Sequence, residues 1–193
     1  MTDHTHTDSA TESSANKIST ELSQERADLL ASLTHARHFL RFPARDLTDE
    51  QAAAHPTASV LSVGGVIKHV AEVEQSWARF ITGGAAAMNA NAKDFADWTA
   101  EDFAEREKGF QLLPGETLAG VLADHQRAAE ATDRLVTTES SLDRLIELPK
   151  TPWSTEETWS VRRVFQHIIA ETTQHAGHAD IIRETIDGAK SMG

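Results

Sequence analysis

Four stretches of the chain repeat large apolar residues at helical spacing, and this pattern constrains the fold more than any other feature of the sequence. The stretches cover residues 17–41, 62–81, 118–136 and 161–186. A helix whose apolar side chains recur every three or four residues must bury that face against other elements. We find no run of alternating β-branched residues that would indicate a sheet. The sequence therefore predicts an all-α protein built as a four-helix bundle.

Turn and capping residues separate the helical stretches. Pro43 stops the first stretch, Ser62 can cap the second, a Pro114-Gly115 turn precedes the third, and Gly188 follows the fourth. The segment between Gly83 and Pro114 is less regular, with an Ala/Asn-rich piece followed by aromatic residues among charges. We expect short extra helices there, packed over one end of the bundle.

The chain of 193 residues suits one hydrophobic core and is short for two domains. Residues 1–16 contain almost no large apolar side chain, so burial cannot offset the conformational entropy that ordering them would cost. We therefore expect a disordered tail over residues 1–16 and one bundle domain over residues 17–193. His4 and His6 lie in this tail and are not expected to belong to a site.

Composition excludes several classes of function. The formal net charge of −12, with no local basic patch, argues against binding to nucleic acid or to an anionic membrane surface. No apolar stretch approaches the roughly 18 residues of a membrane span, and the first residues lack the pattern of a secretory signal, so we expect a cytoplasmic protein. The chain has no cysteine, so any metal must be held by imidazole and carboxylate groups.

The last helical stretch, VFQHIIAETTQHAGHADIIRE, carries four candidate ligands within twelve residues: His167, Glu171, His175 and His178. At about 100° per residue, His175 lies about 20° and Glu171 about 60° from the centre of the apolar stripe, whereas the other two flank it. Glu171 and His175 therefore face inward, one turn apart. A buried carboxylate is costly unless a cation or a metal compensates it. This pair alone is compatible with a metal site or with a structural hydrogen bond.

His69 provides a possible third ligand. In the second helical stretch, SVGGVIKHVAEVEQSW, it lies beside the apolar stripe and can face the same interior. Three protein ligands from two helices suit a divalent ion that keeps open positions for water or substrate, whereas a structural zinc site usually has four protein ligands.

Two segments of the chain, SVGGVIKHVAEVEQSW and WSVRRVFQHIIAETTQHAGHADIIRE, resemble the two signature helices of the DinB-like superfamily of metal-binding four-helix bundles. The resemblance is strongest to the actinobacterial branch near the mycothiol-dependent enzymes, of the maleylpyruvate isomerase and mycothiol S-transferase type, and extends from about Glu21 to Glu184. It implies that His69, Glu171 and His175 hold the metal. Many members have His at the position of Glu171, and the maleylpyruvate isomerase type has Glu there. The resemblance also implies a homodimer.

The function expected from this resemblance is that of a metal-dependent transferase or isomerase acting on a small electrophile. Zinc is the expected ion, although nickel, iron and manganese use the same ligand types. Mycothiol or another low-molecular-weight thiol would be the co-substrate, since the chain has no thiol of its own. His167 and His178 would orient the ligands or accept a proton. The alternatives are a non-catalytic metal-binding bundle in stress response or metal handling, and a degenerate bundle that binds a partner.

Three further residues are candidates for the wall of a substrate pocket. His125 falls on the apolar stripe of the third helical stretch, and Trp153 and Trp159 lie near the entry to the fourth. A core histidine explains His125 equally well. The tryptophans, including Trp77 and Trp98, are most simply core and loop anchors that bury a large area.

Two arginines begin the last helical stretch. Arg162 and Arg163 would form an anion clamp if they faced the mouth of the bundle. We favour a solvated pair in the first helical turn.

Overall fold

The computed structural model of the chain describes residues 22–88, 97–151 and 155–192. Its helices are α1 (Gln24–Arg41), a 3-10 turn (Phe42–Ala44), α2 (Asp49–Ala53), α3 (Val63–Met88), α4 (Ala100–Lys108), α5 (Leu118–Thr138) and α6 (Val161–Asp187). Two three-residue strands, β1 (Leu145–Glu147) and β2 (Thr158–Ser160), pair antiparallel just before α6. The all-α bundle is confirmed, and so is a short extra helix, α4, between the second and third long helices. The expected tail, residues 1–16, lies outside the described residues.

Side-chain caps and special backbone conformations mark the ends of the long helices. The hydroxyl of Ser62 accepts a hydrogen bond from the Gly65 N–H at 3.1 Å, as expected for a cap, and Gly188 ends α6 in a left-handed conformation with φ of 79°. The second helical stretch, expected over residues 62–81, extends in the structure to a kink at Gly84, whose φ is 69°, and a further helical segment follows the kink to Met88. The expected start of the first helix at residue 17 lies outside the described residues, and α1 itself begins at Gln24, after the cap residue Ser23.

The four long helices pack so that α3 lies along α5 and α1 lies along α6, with α3 also contacting α6. Their apolar faces form two clusters, one at each end of the bundle. The first cluster includes Leu40, Val66, Ile67, Val121, Ala179 and Ile182. The second includes Leu33, Phe80, Val136, Val164, Phe165 and Ile168.

A layer of buried polar side chains separates the two apolar clusters. It consists of Arg37 on α1, Glu74 on α3, His125 and Thr132 on α5, and Thr172 and His175 on α6. On each helix these residues fall between the residues of one cluster and those of the other. The middle of the bundle is therefore polar. Within the described residues, no helix combines the length and the hydropathy needed to cross a membrane.

Candidate metal centre

Three possible ligands converge at mid-height of the bundle, where α3 contacts α6. His69, Glu171 and His175 each offer one ligand atom, and these atoms lie within 4.8 Å of one another. The Nε2 atom of His175 is 3.6 Å from Oε2 of Glu171, and the rings of His69 and His175 meet edge to face with centroids 4.9 Å apart. The structure thus brings together the three residues that the sequence singled out, and their binding of an ion stays a prediction.

The local sequence explains this convergence. On α6, Thr172, His175 and Ala179 are buried, so Glu171, next to Thr172, lies at the edge of the same buried face. On α3, His69 directly precedes the buried Val70 and lies at the corresponding edge. Because residues four apart on a helix lie on one face, Glu171 and His175 present their ligand atoms side by side.

The protonation states of the cluster suit a metal. Burial, followed by the neighbouring His175, lowers the pKa of His69 to about 4. The interaction with His175 is the main cause that lowers the pKa of Glu171, against the opposing effect of burial. At neutral pH His69 is therefore uncharged and Glu171 is ionised, which are the forms that bind a metal ion.

The spacing of the donors also suits a metal. Bonds of about 2.1 Å in tetrahedral geometry place ligand atoms about 3.5 Å apart. Spacings of up to 4.8 Å therefore need only small side-chain adjustments. The donor set, with two imidazoles and one carboxylate, is one that zinc commonly uses in catalytic sites.

The connection between α4 and α5 covers one side of His69. A Cβ atom placed on Gly65 of α3 would lie 1.9 Å from the carbonyl oxygen of Phe110, so the backbone of this connection rests directly on the helix. Phe110 then places its ring against the imidazole of His69. Only a glycine at position 65 permits so close an approach.

Two further histidines of α6 each stand next to one member of the cluster. The Nε2 atom of His167 is 3.7 Å from Oε1 of Glu171, and Nδ1 of His178 is 3.4 Å from Nδ1 of His175. Burial lowers the pKa of His167, so its ring is neutral at pH 7. These positions suit the expected roles in orienting ligands or accepting a proton, and the roles themselves stay predictions.

A cavity of about 800 Å³ opens beside the cluster. His69, Glu171 and His167 line it together with Trp77 and Trp159, whose rings stack with centroids 5.0 Å apart and planes 13° apart. His167 meets both tryptophan rings edge to face. The cavity therefore has two of the three candidate ligands, His69 and Glu171, and the neutral imidazole of His167 near an aromatic wall, with the third candidate, His175, next to Glu171. Trp153 lies outside the described residues.

The structure does not bring His125 to this cavity. Its ring is fully buried in the polar layer, where Nδ1 accepts a hydrogen bond from Nε of Arg41 at 2.8 Å and Nε2 lies 4.0 Å from Oε2 of Glu74. Burial and the two neighbouring arginines, Arg41 and Arg37, lower the pKa of His125 to about 3. Its position on α5, facing α1 and α3, explains the difference from the expected wall position.

Several residues of the cavity were not expected from the sequence. Trp77 was expected to be an anchor of the core, and Arg163 a solvated residue, yet both line the cavity. The remaining unexpected lining residues are Val73, Met88, Arg106, Leu148, Pro149, Thr151 and Gln166. The sequence did contain a signal for Arg163, because it precedes His167 by one helical turn and therefore lies on the same face of α6. Nothing in the linear sequence connects Arg106, on α4, with the cluster.

A family model described as Mycothiol-S-transferase matches residues 28–188. The match covers most of the chain and includes His69, Glu171 and His175. No curated protein matches the chain.

Proposed function

Because the chain belongs to the mycothiol-S-transferase family, we propose that it is a metal-dependent transferase or isomerase in which mycothiol, or another small thiol, forms a bond through its sulfur to a small electrophile. The observation that carries this proposal is the convergence of His69, Glu171 and His175 at the edge of a cavity of about 800 Å³. A cavity of this size can hold a thiol and an electrophile together.

In this proposal His69, Glu171 and His175 hold the ion, which is zinc. Nickel, iron and manganese accept the same ligand types and are the other candidates. A bound divalent ion supplies one chemical effect here, which is to lower the pKa of a coordinated thiol so that the thiolate is present at neutral pH.

The chain's own residues perform the other tasks. The protein has no cysteine, so the nucleophilic sulfur comes from the co-substrate. The ring of His167 is neutral, lines the cavity and accepts the proton that the thiol releases. The sulfur then forms a bond to an electrophilic carbon of the second substrate, and the leaving group departs with its electron pair. Trp77 and Trp159 exclude water from one side of the reactants.

Three broader features belong to the same proposal, of which the first two rest on the length and composition of the chain and the third rests on the family resemblance. We propose that residues 17–193 form a single bundle domain, that the enzyme is cytoplasmic, and that it acts as a homodimer. Its partners are then a small-molecule electrophile and a small thiol, with no role in binding nucleic acid or membranes.

The proposal can be tested by replacing the ion with cobalt and titrating mycothiol into the protein. Direct ligation of the thiolate produces a sulfur-to-cobalt charge-transfer band, and the Glu171→Ala variant should weaken or lose this band because it binds the ion less tightly. The His55→Ala variant, altered at an exposed histidine away from the cluster, should keep the band.

Turnover of mycothiol with an electrophile such as 1-chloro-2,4-dinitrobenzene completes the test. Metal binding without a spectral change on thiol addition and without turnover would instead identify a non-catalytic metal-binding bundle.

A further inference from the structure

The cavity beside the candidate metal centre carries more positive than negative charge, although the whole chain is strongly acidic. Among its described lining residues, Arg106 and Arg163 are cationic and Glu171 is anionic. The chain as a whole has a formal net charge of −12. A divalent ion on Glu171 would make the local balance still more positive. The local positive charge of this cavity attracts anions, although the net negative charge of the whole chain repels them.

Arg106 is the cation that is free to bind a ligand. It lies on α4, and among the described residues no carboxylate pairs with it; its guanidinium lies 5.9 Å from the ring of Trp98. Arg106 and His69 line the same cavity, so the guanidinium charge lies near the cluster. An exposed guanidinium without a carboxylate partner, at the edge of a cavity, suits bidentate binding of a ligand carboxylate.

Arg163 is held in a different way. Its Nη2 atom donates to Oε2 of Glu156 at 2.9 Å, and its guanidinium lies 4.7 Å from the ring centroid of Trp159. Trp159 in turn stacks on Trp77. Arg163 therefore extends the aromatic wall, and Arg106 remains the principal cation for a ligand.

The aromatic wall of Trp77 and Trp159 and the guanidinium of Arg106 together suit a ligand with a planar apolar body and a carboxylate. Stacked indole rings offer the apolar surface, and the guanidinium offers the charge-assisted hydrogen bonds. The glycosidic and inositol groups of mycothiol are uncharged, so they give Arg106 no anion to bind. When mycothiol is the thiol, the carboxylate therefore belongs to the other reactant.

We propose that the electrophile used by this enzyme is an organic carboxylate, with Arg106 as its specificity-determining residue and the Trp77 and Trp159 pair as its apolar subsite. This inference rests on the proposed function and names the substrate class of the same site. In the reaction with an aryl chloride of this class, the thiol sulfur bonds to the ring carbon, chloride leaves with the bonding electron pair, and the thiol proton passes to a base.

The experiment compares 4-chloro-3-nitrobenzoate with its methyl ester as electrophiles for the zinc-loaded protein and mycothiol. We expect kcat/KM for the acid to exceed that for the ester by about tenfold or more, and Arg106→Gln to remove this preference by raising KM for the acid. The matched control is Lys108→Gln, which removes one positive charge from the same helix at a residue that does not line this cavity. It should keep the preference.

A binding measurement separates this inference from the proposed function. Titration calorimetry with 3-nitrobenzoate, which cannot react, should show a Kd about tenfold or more higher in Arg106→Gln than in the wild-type protein, in both the zinc-loaded and the metal-free forms. Absence of turnover with a normal calorimetric result would overturn the proposed reaction and leave the anion subsite supported. Carboxylate binding that needs zinc and is unchanged in Arg106→Gln would overturn the subsite.

Discussion

The imidazole of His69 stacks on the ring of Phe110, with centroids 4.0 Å apart and planes inclined by 27°. Phe110 belongs to the connection between α4 and α5, and Gly65 of α3 lets that connection approach the helix. One glycine thus permits the contact that restrains the ring of a proposed ligand. Because a ligand held in one orientation loses less conformational entropy when it binds an ion, this packing should raise metal affinity.

The Gly65→Ala variant tests this relationship. The added methyl group cannot share space with the Phe110 backbone, so the connection must move and the stacking on His69 must loosen. We expect a loss of about 1–3 kcal/mol in the free energy of unfolding and a clear loss of zinc affinity. Urea denaturation measures the first quantity, and competition with a chelator of known affinity measures the second.

Gly177→Ala is the matched control for this prediction. It lies on α6 two residues from His175, and apart from its chain neighbours and the backbone of its own helix no described atom lies within 4 Å of the added Cβ. We expect it to stabilise the helix by up to about 1 kcal/mol and to leave zinc affinity unchanged. Wild-type zinc affinity in Gly65→Ala would show that Phe110 does not restrain the site.

The second prediction concerns the ligands themselves. His175→Ala removes one of two imidazoles from the cluster, so we expect the zinc content of protein prepared without a polyhistidine tag to fall by about tenfold or more. Elemental analysis after dialysis measures the content. His55→Ala removes an exposed histidine and should retain the wild-type content. Equal zinc in the two variants would contradict the assignment of His175.

The sequence was sufficient to predict the long helices and the placement of the cluster on them. Helical periodicity defines the buried face of each helix, and two residues four apart on that face must present their side chains together. For this reason Glu171 and His175 could be paired, and His69 could be placed opposite them, without a structure.

The remaining features depend on contacts between segments that are distant in sequence. Gly65 meets Phe110 across the whole of the segment between α3 and α5, and Arg106 reaches the cavity from α4. Helical periodicity gives no information about such contacts between distant segments. The two strands are only three residues long, too short for an alternating pattern to be recognised. Trp77 lies on the apolar stripe of α3, where a pocket wall and a core anchor have the same sequence pattern.

A third prediction concerns the buried ion pair of the polar layer. Arg37 donates hydrogen bonds to both carboxylate oxygens of Glu74, and both side chains are almost fully buried. In Arg37→Met the Glu74 carboxylate loses both hydrogen bonds, and among the described residues it keeps Nε2 of His125 at 4.0 Å and an electrostatic attraction to Arg41. We expect a loss of about 3–5 kcal/mol in the free energy of unfolding, because a buried charge is left without compensation.

Two variants control this measurement, again by urea denaturation. Arg127→Met breaks an ion pair with Asp124 whose side chains are both more than half exposed, so its cost should stay within about 1 kcal/mol. The double variant Arg37→Met with Glu74→Leu should be more stable than Arg37→Met alone, because it removes the uncompensated charge. A double variant less stable than the single one would show that unpaired Glu74 is not the cause.

The last prediction concerns pH and again uses the polar layer. The pKa of His125 is about 3 in the folded protein, because of burial and the charges of Arg41 and Arg37, and about 6.5 in the unfolded chain. Between these pH values the unfolded chain binds a proton that the folded protein does not, so acid favours unfolding. The stability of metal-free protein should therefore fall as pH drops below about 6.5, and His125 contributes at most about 1.4 kcal/mol per pH unit to this fall.

The His125→Asn variant tests this, because its Oδ1 can still accept the hydrogen bond from Arg41. Urea denaturation between pH 6.5 and 4 should show that its free energy of unfolding depends on pH with a shallower slope than that of the wild type, whereas His55→Asn should keep the wild-type slope. Equal slopes in all three proteins would show that His125 takes up its proton in the folded state as readily as in the unfolded chain.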